Sequence, residues 1–183
     1  DAGIVDEHVD RAELLLDRHG VVTRRTVLAE GYPGGFSTLY PVFAHLEETG
    51  RIRRGYFVEG LGGSQFALPG AVDRLRSESL ESLDVMAATD PANPYGGVLP
   101  WPESEETRLA RDAGAYVLLM GGELVGYLDK GRRGLTLFDV TPERFGEISR
   151  ALADVADRHR RLTLITVNGE PASASRLAAP LSE

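Results

Sequence analysis

Arg51-Ile52-Arg53-Arg54-Gly55-Tyr56-Phe57-Val58-Glu59, then Gly60-Leu61-Gly62-Gly63-Ser64, then Gln65-Phe66-Ala67-Leu68, is the stretch on which the fold turns. Two β-rich runs flank a glycine-rich link, which is the pattern of a hairpin with a flexible tip. The glycines do not make a nucleotide loop. A phosphate-cradling loop must open a helix, whose N-terminal amides and dipole hold the anion. Here a strand follows a strand, and no lysine follows the glycines.

Upstream, the sequence reads as three short helices. Residues 6–19 carry Val9, Ala12, Leu15 and Leu16 at helical spacing and close on His19-Gly20. Thr23 caps a second helix through Glu30, with Val27 and Leu28 inward and Gly31 at its end. Tyr32-Pro33-Gly34-Gly35 forms a turn. Ser37 or Thr38 starts a third helix that buries Leu39, Val42, Phe43 and Leu46 and ends at Gly50, with Pro41 in its first turn. Three helices followed at once by a hairpin make a winged helix-turn-helix.

In that arrangement the third helix turns Ser37, Thr38, Pro41 and His45 outward, with its N-terminal end toward a DNA groove. Arg51, Arg53 and Arg54 stand at the base of the wing, suited to phosphates, and Tyr56 and Gln65 to sugars or bases. Each has a plainer reading: Arg53 or Arg54 pairing with acids of the first helix, Tyr56 in the core, Gln65 capping the turn. Glu47 and Glu48 would hold the far end of the helix away from a duplex.

The formal charge of the 183 residues is -8. It is unevenly spread: Asp6, Glu7, Asp10, Glu13 and Asp17 load the first helix, while Arg51, Arg53, Arg54, Arg74 and Arg76 concentrate base downstream. A field screened over about 8–10 Å responds to such local charge rather than to the total. Composition is globular, with 42% hydrophobic and 26% charged residues. The absence of cysteine excludes disulfides, thiolate metal sites and cysteine nucleophiles, and fits an intracellular setting. No apolar run approaches the roughly 20 residues that span a bilayer, and no signal peptide opens the chain.

Residues 1–79 are therefore expected to be the winged-helix domain, with a trailing helix from Ala71 to about Ser79. Residues 80–183 are expected to form a second α+β module: a small antiparallel β-barrel or curved sheet with one or two helices. Its strands are Leu83–Ala88, Ala115–Met120, Leu124–Leu128, Leu135–Val140 and Leu162–Val167, and residues 103–112 are helical or loose. Thr141 and Pro142 open a helix with Phe145, Ile148, Leu152 and Val155 on one face. The chain stops at Leu181-Ser182-Glu183 inside what reads as a helix, so it is expected to be a C-terminally truncated fragment.

Chemistry is sparse in this half. Lys130, the only lysine, lies with Arg132 and Arg133 in a hairpin turn that either touches a nucleic-acid backbone or is simply a solvated turn. No histidine has metal-ligand spacing, and no G-x-S-x-G, H-E-x-x-H or Walker pattern occurs. The one candidate catalytic acid is Asp90, beside Pro91, Asn93, Pro94, Tyr95 and Trp101. Its alternative role is to cap the following turn.

The sequence resembles the C-terminal region of the large helicase-related (Lhr) superfamily-2 DNA helicases. The resemblance rests on Gly20-Val21-Val22-Thr23-Arg24, Ala29-Glu30-Gly31, Pro33-Gly34-Gly35-Phe36 and the wing from Gly50 to Pro69. It continues in Ala88-Thr89-Asp90-Pro91-Ala92-Asn93-Pro94-Tyr95-Gly96, Leu99-Pro100-Trp101-Pro102 and Asn168-Gly169-Glu170. It implies a bacterial, cytoplasmic, nucleoid-associated parent implicated in DNA repair. That parent would move 3′ to 5′ on DNA with ATP and Mg bound in a helicase core outside this chain. The chain itself would need no cofactor. Its implied partners are single-stranded or forked DNA, the parent core and a second copy in a homo-oligomer. A similar winged-helix and barrel pairing in AlkZ-like DNA glycosylases implies an alternative, excision of uracil or a damaged base. The glutamine-x-glutamine or glutamine-x-aspartate pair of those enzymes is not reproduced by Gln65-Phe66-Ala67.

Overall fold

The structure, a computed structural model, describes residues 2–77, 82–159 and 161–176. The chain is α+β and forms two compact units, Asp1–Glu78 and Ser79–Glu183.

The first unit runs α1 (Ala2–His19), β1 (Val21–Val22), α2 (Arg24–Ala29), α3 (Gly35–Glu48), β2 (Arg53–Gly55), β3 (Gln65–Ala67) and α4 (Pro69–Ser77). Thr23 caps α2 in a full capping box: its hydroxyl accepts the Thr26 N–H, and the Thr26 hydroxyl accepts the Thr23 N–H. Gly34 caps α3 at φ 76°, where a side chain would be strained and would also collide with the Thr38 hydroxyl. Ala12, Leu15, Leu16, Val27, Phe36, Leu39, Phe43, Leu46, Ile52 and Phe66 close one core, with Phe43 and Phe66 stacked at 5.1 Å. The strands form an antiparallel sheet in the order β1-β3-β2. This is a winged helix.

Several details differ from the sequence expectation. α3 begins at Gly35, so Pro41 lies inside it rather than in its first turn. Its ring removes one helical hydrogen bond on the solvent side, where water can replace it. Leu28 is 76% exposed and does not face inward, because a helix as short as α2 points only Thr26 and Val27 at the core. The run 51–59 contributes only Arg53–Gly55 to the ladder. β1, two residues long, is too short to leave a pattern. Residues 78–79 of the expected trailing helix and the expected helix at 181–183 lie outside the described residues.

The second unit contains β4 (Leu83–Ala87), β5 (Tyr116–Met120), β6 (Glu123–Leu128), β7 (Gly134–Leu137), α5 (Phe145–His159), β8 (Thr166–Val167) and β9 (Glu170–Pro171). They make one sheet in the order β4-β5-β6-β7-β8-β9, antiparallel except for the parallel pair β7–β8 that α5 connects. Among the described residues no pairing joins β9 to β4, so the sheet is open: of the expected barrel or curved sheet, the barrel is not formed. Pleating sends Leu118, Leu128 and Leu135 to one face, against Ile148, Leu152 and Val155 of α5. Val117, Leu119 and Tyr127 point to the other. The loop 88–115 covers that second face with Trp101, Tyr95 and Leu109, and 103–112 within it is not helical.

Candidate nucleic-acid interface

α3 presents a solvent stripe of Ser37, Pro41 and His45, four residues apart. Thr38 is half-buried over Gly34, so Ser37 is the more accessible hydroxyl at the N-terminal end.

The three wing arginines are exposed but differ in attachment. Arg51 meets Glu13 of α1 at 2.7 Å, with 59% of its side chain open to solvent. A surface pair of this kind is worth about 0–1 kcal/mol and exchanges readily for a phosphate. Arg54 is held from three sides. It pairs with Glu47 at 2.8 Å, and its guanidinium lies 5.5 Å from the Tyr40 ring and 5.1 Å from that of Phe66. Arg54 thus braces β2 against α3, and Glu47 is spent on it. Arg53, between them in sequence, has no ion-pair partner among the described residues. Tyr56 is 64% exposed and not core.

Gln65 is a correction. It is fully buried, and its amide is wholly engaged within the wing. Oε1 accepts the N–H groups of Phe57 (2.9 Å) and Val58 (2.8 Å), and Nε2 donates to the carbonyls of Val58 (2.8 Å) and Gly62 (2.7 Å). It shapes the wing and cannot reach a sugar or base. The plainer reading, a turn cap, understates it: the side chain replaces the strand pairing that 56–58 lack.

Sequence reasoning missed Arg24 and Arg25, exposed in the first turn of α2 and without ion-pair partners among the described residues. Arg24 lies 5.7 Å over Phe36. A signal was available, since cations at a helix N-terminus oppose its dipole and so do not serve the helix itself. Also unforeseen is Glu30, at the C-cap of α2. It binds Arg18 (2.8 Å), His19 (2.9 Å) and Arg11 (3.4 Å) of α1. The His19 hydrogen bond, aided by Arg18, holds its carboxyl below the usual range against the opposing effect of burial.

In the second unit Asp90 accepts the Ala92 N–H at 2.8 Å, the turn-capping role. Around it, Asn93 is buried, donating to Ala88 O and accepting from Tyr95 N. Arg111 threads the loop, donating to the carbonyls of Asn93 (2.7 Å), Asp90 (2.9 Å), Tyr95 (3.3 Å) and Thr89 (3.4 Å). Burial pushes the Tyr127 phenol up, so it stays a neutral donor to Ala110 O at 3.0 Å. These bonds hold the aromatics as structure. Lys130, Arg132 and Arg133 lie in the β6–β7 turn. Lys130 sits 3.4 Å from Asp112, and Arg133 is exposed. Among the described residues no three histidine, aspartate or glutamate side chains converge to hold a metal, and no helix is long and apolar enough to cross a membrane.

A winged helix with exposed arginines at the base of its wing, followed by an open α+β sheet unit, is the class this fold and surface define. Residues 5–85 match the winged-helix domain of large helicase-related protein. The chain is 48% identical over 171 residues, 87% of its length, to the Lhr helicase/probable uracil glycosylase of Mycolicibacterium smegmatis. It is 38% identical over 183 residues, 94% of its length, to the Lhr helicase/uracil glycosylase of Escherichia coli. It spans only 11% and 12% of those two relatives. The chain is thus similar to a segment of large helicase-related proteins, and its first unit matches their winged-helix domain.

Proposed function

We propose that this chain is the DNA-holding C-terminal region of an ATP-dependent 3′-to-5′ helicase acting in DNA repair. The carrying observation is Arg53, exposed and without an ion-pair partner among the described residues at the base of the wing, on a unit whose α3 stripe is also exposed. Arg24 and Arg25 add two further exposed cations to the unit, and Arg51 joins by releasing Glu13. Arginines of this kind grip phosphates and carry no base sequence. ATP and Mg, on this reading, belong to the helicase core of the whole protein, and the residues here bind and orient the strand.

The test is the salt dependence of binding to single-stranded and forked DNA. Arg53→Ala together with Arg24→Ala and Arg25→Ala should flatten the slope of log K against log salt by about 0.7 for each single-strand phosphate that is no longer neutralised. An unchanged slope in a folded triple variant removes the wing from DNA binding.

Uracil excision is a second reading, favoured by the names of both relatives. Asp90 is not its obvious acid, because its carboxylate closes the 90–92 turn. Alkali-induced nicking of uracil-containing DNA by the chain tests that activity, and full activity in Asp90→Asn would exclude Asp90 from it.

A further inference from the structure

We propose that the second unit carries its own backbone-binding surface for nucleic acid, formed by Lys130, Arg132 and Arg133 of the β6–β7 turn with Arg158 and Arg161 at the end of α5. The topology brings these separate stretches to one end of the sheet. Tyr116 opens β5 opposite Leu128, the last residue of β6. Gly134 opens β7 beside Thr166, which opens β8. Arg133 O accepts the N–H groups of Ile165 (2.7 Å) and Thr166 (3.1 Å), so the segment after α5 lies against the turn. The Tyr116 hydroxyl meets His159 Nε2 at 2.6 Å, which fixes the end of α5 at this same edge. Four neighbouring strand ends span about 14 Å, three interstrand spacings of about 4.8 Å. At about 3.4 Å of axis per nucleotide, that faces about four phosphates of one strand.

The cations there are free to act. Arg132, Arg133, Arg158 and Arg161 have no ion-pair partner among the described residues, and the last three are exposed. Lys130 is only loosely paired, at 3.4 Å with 71% of its side chain in solvent. Asp129, the acid within the turn, is consumed in building it. Its carboxylate accepts the N–H groups of Arg133 (3.1 Å) and Gly134 (2.8 Å), and its carbonyl accepts that of Arg132 (2.8 Å). A side chain at Gly134 would collide with this carboxylate, so glycine there preserves the clamp. Arg132 sits at φ 54°, a left-handed position that glycine fills at lower cost. The fold thus builds a turn whose polar interior is satisfied by one aspartate and whose outward groups are all cationic.

The experiment is fluorescence anisotropy of the full chain with a fluorescein-labelled duplex and its single strand across a salt series. Arg132→Ala, Arg133→Ala and Arg161→Ala combined should flatten the slope on duplex by about 0.9 for each phosphate that is no longer neutralised. Arg158→Gln with Arg161→Gln, which leaves the turn intact, should give a partial flattening if the triple variant misfolds. Either decrease should add to that of Arg53→Ala. A slope unchanged in these variants but lowered by Arg53→Ala overturns this surface and leaves the wing. Loss of polyglutamate binding with the DNA slope unchanged would assign the surface to an acidic protein and overturn the proposal equally.

Discussion

At the residue scale, chemistry depends less on which residues are charged than on what already holds them. Arg51, Arg53 and Arg54 look equivalent in sequence, yet one is loosely paired, one unpaired and one clamped between Glu47 and two rings. Arg54→Ala should therefore act mainly on stability, by about 1–2 kcal/mol through the missing cation–π interactions and packing. Chemical denaturation checks this, with a larger loss for Arg54→Ala than for Arg53→Ala. Glu30 supplies a pH-dependent contribution. Its folded pKa lies below the ordinary 4.5, so the stabilisation is fully present above that value and is lost as pH falls through the lower one. Glu30→Gln should cost about 1–2 kcal/mol near neutrality by weakening the bonds to His19, Arg18 and Arg11. The difference in melting temperature between Glu30→Gln and the parent should shrink as pH drops below the ordinary 4.5. A gap that stays constant down to acid would assign the effect to packing instead.

At the scale of elements, the wing is a side-chain construction. Its ladder is only three residues long, and the segment 56–58 is attached through the Gln65 amide instead of by strand pairing. Gln65→Leu keeps the volume but takes the side-chain partner from the N–H groups of Phe57 and Val58 and from the carbonyls of Val58 and Gly62, all partly buried bonds. At about 1 kcal/mol for each net hydrogen bond removed, the wing should open locally. Hydrogen exchange of the Phe57 and Val58 amides should accelerate strongly while α3 amides change little. Equal acceleration in both would mean the wing and helices open as one. This device was not legible in sequence, because Gln65 in a β-rich run reads as polar edge, and nothing local marks its burial. The three helices were legible, since Leu15-Leu16, Val27 and Leu39-Phe43-Leu46 recur at helical spacing and glycines stop them. Pro41 was misplaced because the turn Pro33-Gly34-Gly35 conceals a helix start on glycine, which lacks the side chain that usually marks a cap.

At the scale of the whole molecule, the two units hide their apolar surface by different means, and sequence periodicity reports only one of them. The first is a helical core closed by a small sheet, with repeats of 3.6 residues throughout. The second is a two-faced sheet: α5 covers one face and announces itself by Phe145, Ile148, Leu152 and Val155. The other is covered by the aperiodic loop 88–115, whose role depends on Trp101, Tyr95 and Arg111 meeting across the fold. Local alternation of strands and turns suggested a barrel or a curved sheet and could not choose between them. With both faces already covered, an open sheet has no need to close. That loop should therefore behave as core. Arg111→Ala strands the carbonyls of Thr89, Asp90, Asn93 and Tyr95, and at about 1 kcal/mol per net hydrogen bond it should destabilise the second unit by about 2–3 kcal/mol. Trp101 is the only tryptophan and lies against Tyr95 and Tyr127, so its emission reports on this unit. The variant should shift that emission to the red at lower denaturant than the parent, because the loop lifts and water reaches the indole. A midpoint unchanged from the parent would show that the aromatic packing alone holds the loop, with Arg111 adding nothing.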